Sequence, residues 1–498
     1  MAEVGALGYR GGDPAPWEAR MRNRSIRNTK LVATIGPACD GHDTLLAMIR
    51  AGMNVARLNF SHDTHAEHRK RLERVREAAA TLGANVAIML DTKGVKIRTG
   101  RLEGGVARLT TGDPFTLYTD GRVGDARGAS VSYTDLPEEV VRGSKILIDD
   151  GVIELEVERV ASDAIECLIT RGGNLADRKG VNLPGTSLGI PAMTPENRAD
   201  IVFAVENEVD YIAASFVRGS ADVREIRRVL DEHGARIPII AKIEAAVSVQ
   251  NLEEIVAEAD GTMVARGDLG VEIPVQEVPL TQKKIIRTTV MNGKPVITAT
   301  QMLDSMKSSP MPTRAEVSDV ANAILDGTSA VMLSNETAAG MYPVEAVRTM
   351  AFLALEAEKG LREYGHLQHI LPERSNEVTE AVSQAAITMA NHLHAGAILA
   401  LTESGRTARS ISKYRPRCPI LGVSRNPAVV RAFAMNWGVS GILLGPDVEA
   451  TSDQDVAEVA LRQAREQGLV ESGELCVLTA GRSRESGSTN MIRVVQVP

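Results

Sequence analysis

The chain has 498 residues, of which 44% are hydrophobic and 24% are charged, so it can form two or three domains with a large core. Its formal net charge of -8 gives no global basic field, which argues against nucleic acid and anionic membranes as main partners. The four cysteines lie far apart without a C-x-x-C pair, which argues against a disulfide framework or structural zinc and fits a reducing compartment.

The N-terminal segment, residues 1–24, is rich in Gly and Pro and then in Arg, and it has no apolar signal core. We predict a flexible tail. A transit peptide is the alternative, and the acidic residues Glu3, Asp13 and Glu18 count against it. No apolar run reaches the roughly 18 residues that a membrane span needs, so we expect a cytoplasmic protein.

From Lys30 onward, short apolar runs alternate with helical patterns such as those of residues 221–233, 247–259 and 279–292. Eight runs are predicted strands: KLVATIG, MNVARLNF, NVAIMLD, DYIAASF, IPIIAKIE, GTMVARGD, KPVITAT and SAVMLSNE. Continuous apolar strands that alternate with helices are typical of a parallel sheet covered on both faces. The pattern therefore predicts an α/β fold, a (β/α)8 TIM barrel, for residues 25–94 and 192–358.

An insertion, residues 95–191, separates the third and fourth predicted barrel strands. It carries the turn signals EGG, TGD, DDG and RGG between alternating runs such as ILIDDGVIELEVERV, which is typical of a small all-β domain. Because it follows a barrel strand, we expect it to lie over the catalytic rim as a lid.

A second α/β pattern occupies residues 359–498. Its predicted strands, AGAILAL, CPILGVS, GILLG, ELCVLTA and IRVVQVP, alternate with helical stretches such as residues 377–394 and 453–467. The pattern predicts a separate C-terminal domain with an open five-stranded sheet.

Polar side chains recur at the C-terminal ends of the barrel strands, which share one rim in this fold and form its active sites. They are Arg57, Asn59, Ser61, Asp91, Ser215, Lys242, Glu244, Arg266, Asp268, Thr300, Ser334 and Glu336. Helix capping is the alternative explanation, but it accounts poorly for the lysine and the arginines. The set therefore predicts a catalytic rim.

Glu244 and Asp268 end successive strands, and two such carboxylates suit Mg²⁺. The alternative is a pair of ordinary loop acids bonded to Lys242 and Arg266. Lys242 beside a metal suits a transferring phosphoryl group, and a buried salt bridge to Glu244 is compatible with that role. Gly267 lets main-chain N–H groups approach an anion closely.

The sequence, including these residues, resembles the pyruvate kinase family over almost its whole length, from about Thr29 to Pro498. The resemblance rests on the stretches TKLVATIGPA, GMNVARLNFSH, LDTKGVKIRTG, KGVNLPG, AKIEAAVSVQNLEEI, VARGDLGVEIP, ITATQMLDSM, PTRAEVSDVANAILDGTSAVMLSNETAAG and SGRTARSISKYRP. It implies transfer of the phosphoryl group of phosphoenolpyruvate to ADP, which gives pyruvate and ATP in the last step of glycolysis. A barrel with a β lid and a C-terminal α/β domain is also the layout that the resemblance implies.

The resemblance also implies roles for individual residues. Glu244 and Asp268 would hold one Mg²⁺, and a second would arrive with the nucleotide. Lys242 and Arg57 would bind the phosphoryl group, while Gly267, Asp268 and Thr300 would hold the substrate carboxylate. The remaining implied positions are Ser215 for substrate, Ser334 and Glu336 for the proton network, and His62, Arg98, Lys179 and Asn59 for the nucleotide.

A monovalent-cation site is implied at Asn59, Ser61, Asp91 and Thr92. The family commonly has Pro-Glu where this chain has Val95-Lys96. Members with lysine there work without K⁺, so our hypothesis is that the Lys96 ammonium replaces the ion. The alternative is a lysine that faces solvent at the lid hinge.

In the C-terminal domain the resemblance implies an effector site at Thr402, Ser404, Gly405, Arg406 and Thr407, a loop that enters a helix and suits a phosphate. The loop at residues 481–490 departs from the form of members regulated by fructose 1,6-bisphosphate, and its Arg482 and Arg484 suit another phosphorylated ligand. A homotetramer is also implied. The competing hypotheses are a Mg²⁺-dependent lyase of 2-oxo acids and a catalytically inactive regulatory relative.

Overall fold

A computed structural model of the chain describes residues 26–94, 96–186, 189, 193–365, 367, 378–446, 452–481 and 489–498. The predicted flexible tail, residues 1–24, lies outside this part of the chain. Among the helices that the structure describes, none is both long and apolar enough to cross a membrane.

The first part of the barrel alternates strands with amphipathic helices. Its elements are β1 (Lys30–Thr34), α1 (His42–Ala51), β2 (Val55–Asn59), α2 (His65–Thr81) and β3 (Ala87–Asp91). Thr64 and Glu67 start α2 with reciprocal side-chain and main-chain hydrogen bonds, which satisfy N–H groups that a helix N-terminus leaves open. The chain then leaves the barrel at the end of β3.

The inserted domain is built from short strands with a hydrophobic cluster of its own around Phe115, Leu117 and Ile146. Seven strands pair in the order β4-β12-β8-β9-β10-β6-β7, and β5 pairs with β11. The elements are β4 (Ile97–Arg98), β5 (Val106–Leu109), β6 (Pro114–Tyr118), β7 (Gly128–Ser130), α3 (Leu136–Glu139), β8 (Lys145–Ile148), β9 (Ile153–Val160), β10 (Ala164–Arg171), β11 (Gly173–Ala176) and β12 (Gly180–Asn182). The expected all-β lid is therefore present.

The second part of the barrel completes the parallel sheet. Its elements are α4 (Pro195–Glu206), β13 (Tyr211–Ala214), α5 (Ser220–Glu232), β14 (Ile239–Ile243), α6 (Ala246–Gln250), α7 (Leu252–Glu258), β15 (Gly261–Ala265), α8 (Arg266–Glu272), α9 (Val278–Met291), β16 (Val296–Ala299), α10 (Arg314–Leu325), β17 (Ala330–Leu333), α11 (Asn335–Ala338), α12 (Pro343–Lys359) and α13 (Leu361–Tyr364).

Eight parallel strands close the barrel in the order β1-β17-β16-β15-β14-β13-β3-β2. Except for Asn59, every residue in these strands is buried, which explains their continuous apolar runs. The predicted (β/α)8 barrel is confirmed, and the C-terminal ends of its strands form one rim.

One predicted helix is interrupted. Residues 247–259 were expected to form a continuous helix, but the chain breaks at Asn251 between α6 and α7. The Asn251 amide donates to the Arg218 carbonyl oxygen at 2.8 Å. A short polar side chain that bonds the main chain of a neighbouring segment favours such a break, and the apolar pattern does not reveal it.

The C-terminal domain contains an open five-stranded sheet in the order β20-β19-β18-β21-β22, with β22 antiparallel. The elements are α14 (Val378–Leu393), β18 (Ala397–Leu401), α15 (Arg406–Lys413), β19 (Ile420–Ser424), α16 (Pro427–Ala432), β20 (Val439–Leu443), α17 (Asp453–Glu466), β21 (Leu475–Gly481) and β22 (Thr489–Gln496). Ala434 and Met435 join the apolar cluster inside the barrel, so this domain closes the end opposite the catalytic rim.

Candidate active site

Lys242 is a buried cation at the end of β14, with 8% of its surface exposed. Its Nζ lies 3.0 Å from Asp91 Oδ1, 2.7 Å from Ser215 Oγ and 2.9 Å from Glu244 Oε1. Burial alone would lower the pKa of Lys242, but the Asp91 and Glu244 carboxylates outweigh it and hold the pKa above its ordinary value. The ammonium group is therefore charged and fixed in place.

Arg57 bonds the second oxygen of the Asp91 carboxylate, whose first oxygen contacts Lys242. Its Nε donates to Asp91 Oδ2 at 2.6 Å, and its Nη1 donates to Thr34 Oγ1 at 2.9 Å. Burial raises the pKa of Asp91, but Arg57 and Lys242 more than offset that effect, so the pKa lies below its usual range. One ionised carboxylate thus orients two buried cations. The sequence did not indicate this role for Asp91 or the contribution of Thr34.

Glu244 is the more buried of the two candidate metal carboxylates, with 1% of its surface exposed. Its Oε2 accepts the Phe216 N–H at 2.7 Å, whereas its buried Oε1 faces Lys242 without accepting a well-formed hydrogen bond. Burial raises the pKa of Glu244, Lys242 opposes the shift, and the nearby Asp268 charge adds to it. A divalent cation would relieve this repulsion and use the free oxygen lone pairs, so the residues fit Mg²⁺.

Asp268 lies in the first turn of α8, directly after β15. Its Oδ1 accepts from Lys96 Nζ at 2.9 Å, and this lysine enters from the lid. Within the described residues, no group of three or more His, Cys, Asp or Glu side chains could hold a metal ion. A magnesium ion here would therefore complete its shell with water and substrate oxygens, as this ion commonly does.

Thr300 lies in a strained turn after β16. Both Thr300 and Gln301 have positive φ angles, 67° and 54°, a region that residues other than glycine rarely occupy. Arg266 donates from Nη2 to the Thr300 carbonyl at 2.7 Å and from Nη1 to Asp319 at 2.7 Å, which holds the turn. Thr300 Oγ1 accepts the Gly267 N–H at 2.8 Å. Gly267 and Thr300 are thus neighbours at the rim, as expected.

Ser334 and Glu336 lie after the last barrel strand. The two oxygens of the Glu336 carboxylate accept the Ser334 N–H at 2.7 Å and the Leu303 N–H at 3.2 Å. Glu336 is buried, so it ties the loop after β16 to the end of β17. Its predicted role in a proton network stays a prediction.

Two of the four nucleotide candidates lie together in the lid. Arg98 Nη1 donates to the carbonyl of Arg178 at 3.1 Å, and Lys179 Nζ lies 2.9 Å from Asp149 Oδ1. Main-chain and hydroxyl bonds through Thr99 join the two segments.

The other two nucleotide candidates belong to the barrel loop after β2. The Asn59 carbonyl accepts the His62 N–H at 3.3 Å, and its side-chain oxygen accepts the Ser61 N–H at 3.2 Å. The four residues therefore form two separate pairs, one on the lid and one on the rim.

The four residues of the implied K⁺ site lie at the ends of the adjoining strands β2 and β3, where Asn59 pairs with Asp91. The Asn59 side chain accepts the Ser61 N–H, and Ser215 Oγ donates to the Thr92 carbonyl at 2.8 Å. The Lys96 ammonium instead pairs with Asp268 and lies 3.7 Å from Asp150. The sequence did not predict that Lys96 pairs with a candidate magnesium ligand.

The effector candidates form a turn at the start of α15. Gly405 has a φ of 77°, and its N–H bonds Thr402 Oγ1 at 2.9 Å. Thr407 Oγ1 lies 2.6 Å from Thr489 Oγ1, which links this turn to β22. The candidates Arg482 and Arg484 lie outside the described residues.

Comparisons with known proteins agree with this architecture. Two family models match, the pyruvate kinase barrel domain over residues 26–347 and the pyruvate kinase alpha/beta domain over residues 380–495. A pyruvate kinase of Geobacillus stearothermophilus is 50% identical over 472 residues, which are 94% of this chain and 80% of the relative. One of Clostridium acetobutylicum is 45% identical over 472 residues, which are 94% of this chain and 99% of the relative.

A solved structure gives the same result. The crystal structure of a pyruvate kinase from Cryptosporidium parvum matches with a TM-score of 0.89 and 40% identity, over 97% of this chain and 98% of that one. The predicted resemblance is confirmed along both domains, and the chain belongs to the pyruvate kinase family, whose members are phosphotransferases.

Proposed function

We propose that the barrel rim of this chain transfers the phosphoryl group of phosphoenolpyruvate to ADP and so produces pyruvate and ATP. The observation that carries the proposal is the buried pair of cations, Lys242 and Arg57, held by the single carboxylate of Asp91. A phosphoryl group in transfer spreads its negative charge over three oxygens, and cations that are already oriented stabilise it without reorganisation.

Arg57 binds the phosphate of the substrate through guanidinium N–H groups, and Lys242 neutralises the charge of the phosphoryl group in flight. Glu244 and Asp268 would hold Mg²⁺, which when bound would supply positive charge that stabilises the anionic substrate. A second Mg²⁺ would arrive with the nucleotide. Ser215 keeps Lys242 in position through its hydroxyl oxygen at 2.7 Å.

The substrate carboxylate would bind main-chain N–H groups at Gly267 and Asp268 and the Thr300 hydroxyl, in place of the hydrogen bond from the Gly267 N–H to Thr300. The strained turn at Thr300 holds that hydroxyl, which in this proposal would lie near the carbon that is protonated when the enolate becomes pyruvate. Either Thr300 or a water molecule beyond it delivers the proton, and Ser334 and Glu336 belong to the supporting network.

The proposed nucleotide-binding residues are Arg98 and Lys179 of the lid and His62 and Asn59 of the rim. Lid closure would bring the two pairs together around the ADP phosphates and exclude water. Asn59, Ser61, Asp91 and Thr92 are hard oxygen ligands for a monovalent cation, and the Lys96 ammonium supplies positive charge at the same rim. We therefore propose that the enzyme turns over largely without K⁺.

For the assembly we propose a cytoplasmic homotetramer. For regulation we propose a phosphorylated effector at Thr402, Ser404, Gly405, Arg406 and Thr407. Formation of ATP from phosphoenolpyruvate and ADP by the purified protein, followed in a coupled assay, tests the catalytic proposal. No ATP above the rate without enzyme would overturn it.

A further inference from the structure

A cleft lined by basic side chains lies where the C-terminal domain meets the base of the barrel. Its volume is about 220 Å³, including the open mouth, and its lining contains Lys294, Arg409, Lys413 and Arg415. Among the described residues that line it, none is an aspartate or a glutamate. The lining residues of the barrel precede β16 and β17, so the cleft lies at the end opposite the catalytic rim.

Arg415 is the most deeply buried of these four basic side chains. With 7% of its surface exposed, it places its guanidinium 4.6 Å from the centre of the Trp437 ring. Its Nη2 donates to the Gly327 carbonyl at 2.7 Å and lies 3.4 Å from Ser329 Oγ. Its Nε and Nη1 are shielded from solvent and have no hydrogen-bond partner among the residues that the structure describes. A buried cation with open N–H groups is costly unless an anion neutralises it.

The side chains and carbonyls that bond the other three cations supply little negative charge to the cleft. Lys413 pairs with Glu380 at 2.9 Å, whereas Lys294 donates to main-chain carbonyls, and Arg409 Nη1 donates to the Ser404 carbonyl at 3.1 Å. Burial lowers the pKa of Arg415 to about 9, and the Glu358 charge opposes the shift only in part. The cleft therefore has an excess of positive charge around a guanidinium that is itself buried.

We propose that this cleft is an anion site for a small tetrahedral oxyanion of the phosphate class, with Arg415 as its central donor. A phosphate oxygen accepts charge-assisted hydrogen bonds from guanidinium groups, which are about twice as strong as neutral ones. Arg415 also bonds Gly327 and Ser329 of the barrel, so a bound anion fastens the C-terminal domain to the base of the barrel. The site is separate from the phosphoryl-transfer rim.

The test is thermal unfolding of the full-length protein in sodium phosphate against sodium chloride at the same ionic strength. The reference is Lys242→Met, which weakens phosphate binding at the rim, and two variants are made in that background: Arg415→Gln, which removes the proposed donor, and Lys145→Gln, an exposed lid lysine as control. We expect phosphate to raise the Tm by about 2 °C or more in Lys242→Met and in its Lys145→Gln variant, but not in its Arg415→Gln variant. An equal rise with Arg415→Gln, or no rise beyond that in chloride, would overturn the proposal.

Calorimetric titration of inorganic phosphate gives a second measurement if Arg415→Gln does not fold. In the Lys242→Met background, Arg409→Gln should weaken the binding at least fivefold, and an unchanged affinity would contradict the site. Glycerol phosphate in place of inorganic phosphate distinguishes the sources of the anion. Binding of both identifies a phosphate ester as an accepted ligand, whereas binding of inorganic phosphate alone identifies the free ion.

Discussion

Lys96 Nζ lies 2.9 Å from Asp268 Oδ1, so a lysine from the base of the lid pairs with a carboxylate proposed to hold Mg²⁺. Burial alone would lower the pKa of Lys96, but the Asp268 charge outweighs it and holds the pKa above its ordinary value. Gly180 gives the side chain room, since a Cβ there would lie 3.0 Å from Lys96 Cε. Lid and barrel are thus joined by an ion pair at the proposed metal position.

This pairing predicts that Lys96 opposes metal binding in the absence of substrates. A divalent ion must displace the ammonium from Asp268, and a partly exposed ion pair of this kind is worth about 0.5–1 kcal/mol. We expect Lys96→Met to bind Mn²⁺, measured by electron paramagnetic resonance as a substitute for Mg²⁺, about two- to fivefold more tightly than the wild type. Lys145→Met is the matched control. Unchanged or weaker Mn²⁺ binding by Lys96→Met would show that the ammonium does not compete with the metal.

The same lysine predicts the response to K⁺. Turnover of the wild type in tetramethylammonium buffer should stay within about twofold of turnover in K⁺, because the tethered charge replaces that of the ion. Lys96→Met should lose about tenfold or more in kcat without K⁺ and recover when K⁺ is added. Strong K⁺ activation of the wild type would refute the hypothesis, whatever the variant does.

Asp91 holds both cations that we propose to bind the phosphoryl group, so its removal should affect stability and turnover together. Asp91→Asn leaves the buried Arg57 and Lys242 without their shared charge, which costs about 3–5 kcal/mol of unfolding free energy for a broken buried pair. We expect kcat/KM to fall about 100-fold or more, since the cations lose their orientation. Asp304→Asn, in a partly exposed pair with Lys307, is the control. Wild-type stability and kinetics in Asp91→Asn would contradict the assigned role.

Lys30 at the base of the barrel predicts a pH dependence of stability. It is buried and donates to the Val439 carbonyl at 2.8 Å, and burial together with Arg27 lowers its pKa to about 7. Between pH 7 and its unfolded pKa of about 10.4, the unfolded chain binds a proton that the folded chain does not, so this residue makes stability rise with pH, by at most about 1.4 kcal/mol per unit. Relative to Lys30→Met, the wild type should therefore gain stability from pH 7 to 9 in urea unfolding. A constant difference between the two proteins would show that Lys30 stays charged.

Much of the fold follows from local patterns, because each barrel strand is a continuous apolar run that ends in a polar residue. The rim was therefore predictable as a set that includes Lys242, Asp91 and Ser215. The pairing within the set was not, since it depends on which strands adjoin in the closed barrel. Lys96 and Asp268 are 172 residues apart in sequence and meet only because the lid folds back over the rim. Likewise, the Phe216 N–H donates to Glu244, and Phe216 has a φ of 53°. No apolar pattern reveals this backbone conformation or the hydrogen bond.

The most direct test of the catalytic account is ATP formation from phosphoenolpyruvate, ADP and Mg²⁺ by the wild type and by Lys242→Met. The wild type should produce ATP and pyruvate in equal amounts. The variant should keep the wild-type circular dichroism spectrum and lose about 10³-fold or more in kcat, because it lacks the buried charge that meets the phosphoryl group. A folded Lys242→Met enzyme with wild-type turnover would contradict the account.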